Sequence, residues 1–185
     1  MKEIKLASRY AKALFDFSIE QDVLEQVKDD MKLVVSVCKQ NREFRLMLES
    51  PIIYTDKKEA IIIEIFGKHI QKSSRHYLLI IIRKKRESLV EGIAYQFIEQ
   101  YKEYKNITTA ELATAIQLDP EVKNNVITLL EDQTKGEIEL IEEIKEELIG
   151  GFVLSYKDYQ YDSSIKKQIK ELKKEFDTNL YIRGF

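Results

Sequence analysis

Apolar residues in the first half of this chain recur at the three-and-four spacing of a helix face, and in the second half they recur at the two-residue spacing of a strand. From about Ile4 to Ile19 they fall at Ala7, Tyr10, Ala11, Leu14 and Phe15, which predicts a helix with one apolar side. Leu24, Val27, Met31, Val34, Val35 and Cys38 form a second stripe. A shorter one, Phe44 to Leu48, ends before Ser50-Pro51, because the residue ahead of a proline avoids the helical region. Asp56 and Glu59 have the spacing of a capping box ahead of Ile61, Ile62, Ile65 and Phe66, with Gly67 as the stop. Ser74 is placed to cap the next helix, which runs through Tyr77 and Ile82 into Arg83-Lys84-Lys85-Arg86. Val90, Ile93, Ala94, Phe97, Tyr101 and Tyr104 define the last helix of this half. Six helices with short connections predict an antiparallel bundle over residues 1–105.

Near Asn106 the period changes. Ala110, Leu112, Thr114, Ile116 and Leu118 alternate with more polar neighbours, the pattern of a strand. Asp119 and Pro120 then predict a helix start, with Val122, Val126, Leu129 and Leu130 facing inward and Gly136 ending it. Ile138 to Ile144 and Leu148 to Tyr156 are further strand candidates, and Ile165, Ile169, Leu172 and Phe176 mark a terminal helix. Residues 106–185 therefore read as a small α/β domain with a short sheet and two helices, and the first two strands are parallel if they are neighbours. The fold class expected is α+β overall, with the domain boundary near Lys105 to Thr109.

Composition agrees with a folded, helix-rich protein: 44% hydrophobic and 34% charged residues, with only 6 Gly and 2 Pro. Net charge is −2, which offers no general argument for nucleic-acid binding. The distribution is uneven. Residues 1–105 carry 20 Lys plus Arg against 16 Asp plus Glu, or +4, and residues 106–185 carry 10 against 16, or −6. Different partners for the two halves are implied. Arg9 and Lys12 interrupt the N-terminal apolar stretch, and the longest apolar run is Tyr77 to Ile82, so neither a signal peptide nor direct membrane insertion is expected. Cys38 cannot form an internal disulfide, and it lies on an apolar helix face where a buried structural thiol is the plain reading.

Candidate chemistry is sparse. His69 and His76 lack the company that a metal site needs, and no cysteine pair, His-Glu-x-x-His, Walker loop or dinucleotide fingerprint is present. Gly150-Gly151 sits inside a strand-like segment, where a bulge or close backbone approach accounts for it. Glu142, Glu143, Glu146 and Glu147 read as a solvated acidic run. No catalytic residue, cofactor or metal is assigned. The quartet Arg83 to Arg86 can bind phosphates, which leaves a helical adaptor or nucleic-acid-associated protein as the alternative reading. The plainer account is that cations close a helix C-terminus, with no aromatic residue between them to stack a base.

The most informative surface feature is a surplus of apolar positions. Leu6, Tyr10, Ala13 and Phe17 form a second stripe on the first helix, beside the core stripe of Ala7, Ala11, Leu14, Phe15 and Ser18. The segment from Tyr77 through Leu78, Leu79, Ile80 and Ile81 to Ile82 is apolar all round, which implies a central position in the bundle or a partner over its outer face. A groove for an amphipathic helix explains both stripes.

Several segments together resemble a known family. Ala7-Ser8-Arg9-Tyr10-Ala11-Lys12-Ala13-Leu14-Phe15 is similar to the first-helix signature of the delta subunits (mitochondrial counterpart OSCP) of F-type ATP synthases. Ser50-Pro51-Ile52 followed by Lys57 or Lys58, Ile61 and Phe66 resembles the middle of their helical domain, and Leu148-Ile149-Gly150-Gly151-Phe152, Asp162-Ser163-Ser164-Ile165 and Leu172 resemble their C-terminal signature. One departure is Lys145-Glu146-Glu147, where the family often has an Asp-Pro turn. The resemblance implies a non-catalytic stator subunit that joins the catalytic F1 head to the peripheral stalk, needs no cofactor and does not bind nucleic acid. It implies that residues 1–105 hold the N-terminal helix of an alpha subunit between the first and fifth helices, at Leu6, Tyr10, Ala13, Leu14, Phe17, Tyr77, Ile80 and Ile81. It also implies that residues 106–185 meet the C-terminal end of the b subunit, at the cytoplasmic face of a bacterial inner membrane.

Overall fold

A computed structural model describes residues 2–117 and 119–177. The protein is α+β, and the chain divides into two compact units between Tyr104 and Lys105. In the first unit, α1 (Lys2–Glu20), α2 (Leu24–Gln40), α3 (Arg42–Glu49), α4 (Thr55–Phe66), α5 (Lys72–Arg83) and α6 (Val90–Lys105) follow one another, with a short 3-10 turn at Glu87–Leu89. The apolar stripes meet in one core: Ala11, Val27, Met31, Val34, Cys38, Ile62, Phe66, Ile81, Ile82 and Phe97 are buried. Phe15 packs edge-on against Phe97 at 5.7 Å between ring centroids, and Phe44 against Phe66 at 5.9 Å. Such offset pairs add to the area they bury. Tyr104 is exposed, yet its ring lies edge-on to Phe15 at 5.6 Å.

Helix termini are set less locally than the sequence predicts. The capping box at Asp56 and Glu59 does not form; α4 begins at Thr55 without a side-chain cap, and Glu59 pairs with Arg83 instead. Ser74 lies inside α5 and does not cap it. Its hydroxyl donates to Asp30 Oδ2 at 2.5 Å, and the Gln71 N–H donates to the same oxygen at 3.0 Å. A carboxylate from α2 thus supplies the acceptor that helix N-termini require.

The second unit contains β1 (Ile107–Thr114), α7 (Pro120–Thr134), β2 (Glu137–Ile144), a 3-10 turn at Glu146–Leu148, β3 (Phe152–Tyr156), β4 (Tyr159–Asp162) and α8 (Ile165–Asp177). The strand order is β2-β1-β3-β4. β1 and β2 run parallel, with Ala110 opposite Leu140, while β1 and β3 are antiparallel, with Leu112 opposite Leu154. The core joins Ala110, Leu112, Leu130, Ile138 and Leu154, with Val126 and Ile127 of α7 packed on it.

Several boundaries differ from the periodicity. β1 ends at Thr114, because the Thr114 hydroxyl donates to the Ile116 carbonyl at 2.8 Å and bends the chain, leaving Ile116 exposed. Leu118 lies outside the described residues, and so does the Phe176 side chain. Asp119 caps α7 by accepting the Glu121 N–H at 3.1 Å. The inward face of α7 is Val126, Ile127 and Leu130; Val122 and Leu129 are exposed. Lys135, with φ 52°, rather than Gly136, makes the left-handed turn that ends α7. Gly136 sits where a Cβ would strike the Asn106 carbonyl. Gly150 and Gly151 precede β3 rather than lying within a strand.

Candidate partner-binding groove

The two faces of α1 have different fates. Ala7, Ala11, Leu14, Phe15 and Ser18 are buried, and Gln100 of α6 ties this side down by donating to the Ser8 carbonyl at 3.1 Å. The adjoining stripe opens onto a groove of about 380 Å³ between α1 and α5, lined by Tyr10, Ala13, Leu14 and Phe17 on one side and Ser73, His76, Tyr77, Ile80 and Ile81 on the other. The sequence-predicted residues Tyr10, Ala13, Leu14, Phe17, Tyr77, Ile80 and Ile81 therefore share one site. Leu6 is half-buried on the same stripe and lies outside the groove lining.

A hydrogen bond braces the floor. The Tyr77 hydroxyl donates to the Tyr10 carbonyl at 2.8 Å, and burial, followed by the neighbouring Tyr10, pushes the Tyr77 phenol above its ordinary pKa. The Arg86 guanidinium stands 5.9 Å from the centre of the Tyr10 ring. Ser73 and His76, which the apolar periodicity does not single out, sit one turn apart on α5 at the groove wall. Phe17 is 43% exposed, so a large aromatic faces solvent over an apolar hollow. Such an arrangement fits the apolar stripe of an amphipathic helix.

Other candidates resolve differently. Arg83 is held by both oxygens of Glu59, with donor–acceptor distances of 2.9 and 3.1 Å, and Lys84 and Lys85 close α5 through their backbone N–H groups. The basic quartet is thereby a helix end with a brace on α4. Cys38 is buried, and burial pushes its thiol up to about 12, so it is a packing residue at neutral pH. Among the described residues no group of three His, Cys, Asp or Glu side chains could hold a metal ion, and no helix is long and apolar enough to cross a membrane.

In the second unit, Lys145-Glu146-Glu147 replaces a proline-type turn with a hydrogen-bonded one. The Lys145 N–H donates to the Thr114 carbonyl at 2.7 Å, and the Ile149 N–H to the Glu146 carbonyl at 3.1 Å. Ile149 takes φ 66° and Gly151 φ 74°. A Cβ on Gly151 would strike the Ser163 carbonyl, and one on Gly150 the Ile165 side chain. The paired glycines let the strand start lie against the start of α8.

The open apolar groove between α1 and α5 is the kind of surface with which a binding component takes up a partner helix. The family profile described as ATP synthase delta (OSCP) subunit matches residues 6–176. The chain is 35% identical over 176 residues to the ATP synthase subunit delta of Cytophaga hutchinsonii, covering 95% of this chain and 96% of that one. It is 32% identical over 172 residues to that of Salinibacter ruber, with 93% and 90% covered, and 29% identical over 174 residues to the chloroplastic subunit of Porphyra purpurea, with 94% of each covered. Its fold is similar to a chain of the cryo-EM structure of the Toxoplasma gondii mitochondrial ATP synthase hexamer, with a TM-score of 0.71 at 21% identity over 95% of this chain and 99% of that one. The chain belongs to the ATP synthase delta (OSCP) subunit family. It is a non-catalytic stator subunit of ATP synthase, and its partners are other subunits of that enzyme.

Proposed function

We propose that residues 1–105 grip the N-terminal helix of an alpha subunit in the groove between α1 and α5, while residues 106–185 meet the C-terminal end of the b subunit. On this reading the six helices of the first unit pack as an antiparallel bundle, and the protein sits at the cytoplasmic face of a bacterial inner membrane as a peripheral link between the catalytic head and the stalk. The observation that carries it is the meeting of Tyr10, Ala13, Leu14 and Phe17 with Tyr77, Ile80 and Ile81 around one apolar hollow on the helices that the family resemblance assigns to alpha-subunit binding. Torque from the rotor would otherwise turn the head, so the link must be tight. A nanomolar contact corresponds to about −12.3 kcal/mol, which well-packed anchors such as Tyr10, Leu14, Phe17 and Ile80 would serve better than area alone.

Stripped membranes and purified catalytic heads test the reading. ATP hydrolysis by the head should persist without this protein, and proton pumping should return only when the full chain is added back. Hydrolysis that requires the chain, or pumping restored by either half alone, would place the mechanical link elsewhere.

A further inference from the structure

The groove between α1 and α5 is not uniform along its length. On the α5 wall, Tyr77, Ile80 and Ile81 match the apolar residues that α1 supplies, whereas Ser73 and His76, one turn apart and nearer the start of the helix, are polar. Other polar groups of α5 turn inward. The Ser74 hydroxyl donates to Asp30 Oδ2 and the Tyr77 hydroxyl to the Tyr10 carbonyl, so both are engaged within the first unit. The Ser73 hydroxyl and the His76 imidazole line the hollow instead.

A helix that seats in the groove takes these two groups out of water. An occupant with an unbroken apolar stripe would leave both without hydrogen bonds, a loss that falls on affinity. The occupant must therefore be apolar over Tyr77, Ile80 and Ile81 and polar over Ser73 and His76. Serine O–H and a histidine ring N–H can both donate. The first turn of α5 holds Lys72 and no acidic residue, and the Arg75 guanidinium that follows donates to the Gly67 carbonyl. Asp16 and Glu20 of α1 stand outside the groove lining. Two donors one turn apart, with a lysine beside them, suit an acceptor with two oxygens and a negative charge.

We infer that Ser73 and His76 are the specificity-determining pair of the groove, clasping an Asp or Glu carboxylate at the flank of the partner helix's apolar stripe. The inference rests on the groove reading proposed above and adds what fixes the partner's direction and register. Apolar contact alone tolerates a helix that slides by a turn or lies the other way round, and a polar pair toward one end of the wall penalises both.

Calorimetric titration of the full chain with a synthetic peptide of the alpha subunit's N-terminal helix, from the same organism, tests it. The variant Ser73→Ala/His76→Leu makes the groove more apolar. If apolar contact alone decided affinity, it would bind as well as the unaltered chain or better; the clasp requires it to bind about tenfold more weakly. Its melting curve should stay in place, because His76 is exposed and Ser73 only half-buried. Peptides with each Asp or Glu changed in turn to Ala locate the clasped group. One of them should lose a similar factor toward the unaltered chain and nothing further toward the variant. Equal or tighter binding by the variant overturns the inference, and so does a loss that couples to no carboxylate of the peptide. Phe17→Asp separates this inference from the groove reading. If Phe17→Asp weakens binding and Ser73→Ala/His76→Leu does not, the groove stands without the clasp; if the peptide fails to bind the unaltered chain, the groove reading fails and the clasp with it.

Discussion

Lys58 is 1% exposed, and its ammonium donates to Glu87 Oε1 at 2.6 Å and to the Leu48 carbonyl at 2.8 Å. One side chain thus fastens three places, the end of α3, the first turns of α4 and the 3-10 turn that leads into α6. The second Glu87 oxygen is buried without a hydrogen-bond partner among the described residues, so the pair already leaves part of a carboxylate unsatisfied. Removing one member of a buried pair strands the other charge, at about 3–5 kcal/mol. Lys58→Met should lower the urea-unfolding free energy by that order. The double variant Lys58→Met/Glu87→Leu should recover most of the loss, because no uncompensated charge remains. A double variant as unstable as the single one would mean that the loss lies in packing and not in charge.

Asp30 gives a pH dependence with a definite sign. Burial raises its pKa above the ordinary carboxylate value, while the hydrogen bonds from Ser74 and Gln71 oppose the shift and Asp29 adds to it. The folded chain therefore holds this proton to a higher pH than the unfolded chain does. The resulting stabilisation is full below the unfolded value near 3.8 and is lost as pH rises through the higher folded value. Asp30→Asn keeps an acceptor for the α5 terminus and removes the titration. The stability of the wild type relative to Asp30→Asn should accordingly fall between acid and neutral pH. Denaturant melts of both proteins across that window measure it, and a difference independent of pH would show that Asp30 titrates alike in both states.

The two glycines before β3 should differ in their tolerance of a methyl group. Gly151 has φ 74°, and its Cβ would meet a backbone carbonyl, that of Ser163. Left-handed backbone alone costs a substituted residue about 1–2 kcal/mol, and the carbonyl can yield only if the start of α8 moves. Gly150 would meet the tip of the Ile165 side chain, which can rotate away. Gly151→Ala should lose about 2 kcal/mol or more in thermal unfolding, and Gly150→Ala distinctly less. Equal losses would point to a rigid Ile165.

Elements with a long, regular pattern are legible in the sequence. The α1 stripe of Ala7, Ala11, Leu14, Phe15 and Ser18 and the strand residues Ala110 and Leu112 are buried as their spacing predicts. What escaped the pattern depends on partners distant in sequence. Asp30 caps a helix that starts more than forty residues later, and Lys58, in the polar run Thr55-Asp56-Lys57-Lys58-Glu59, carries no local sign that it is buried. β4 is a four-residue edge strand, Tyr159–Asp162, too short for an alternation to stand out. Val122 and Leu129 share the helical period of the inward face of α7 but are exposed on its flank, so periodicity alone does not separate them from Val126 and Leu130. In the groove, the apolar residues were legible from surplus stripes, whereas Ser73 and His76 became visible only through their place on α5.

The groove itself makes a prediction that separates its residues from the rest of their stripe. Phe17 and Ile80 face the hollow from opposite helices, and Phe17 is 43% exposed. A carboxylate at either position would have to enter an apolar contact without a partner when a helix docks, which is costly. Phe17→Asp should therefore weaken binding of an alpha-subunit N-terminal peptide by about 2 kcal/mol or more, the loss typical of an anchor, with little change in melting temperature. Ile80→Asp should weaken it as much, with a further loss of stability because this side chain is partly buried. Leu6 provides the contrast, since it shares the α1 stripe but lies outside the groove lining. Calorimetry on Leu6→Asp should give an affinity close to wild type. If Leu6→Asp weakens binding as strongly as Phe17→Asp, the docked helix extends along the whole of α1; if neither does, it seats on another face of the first unit.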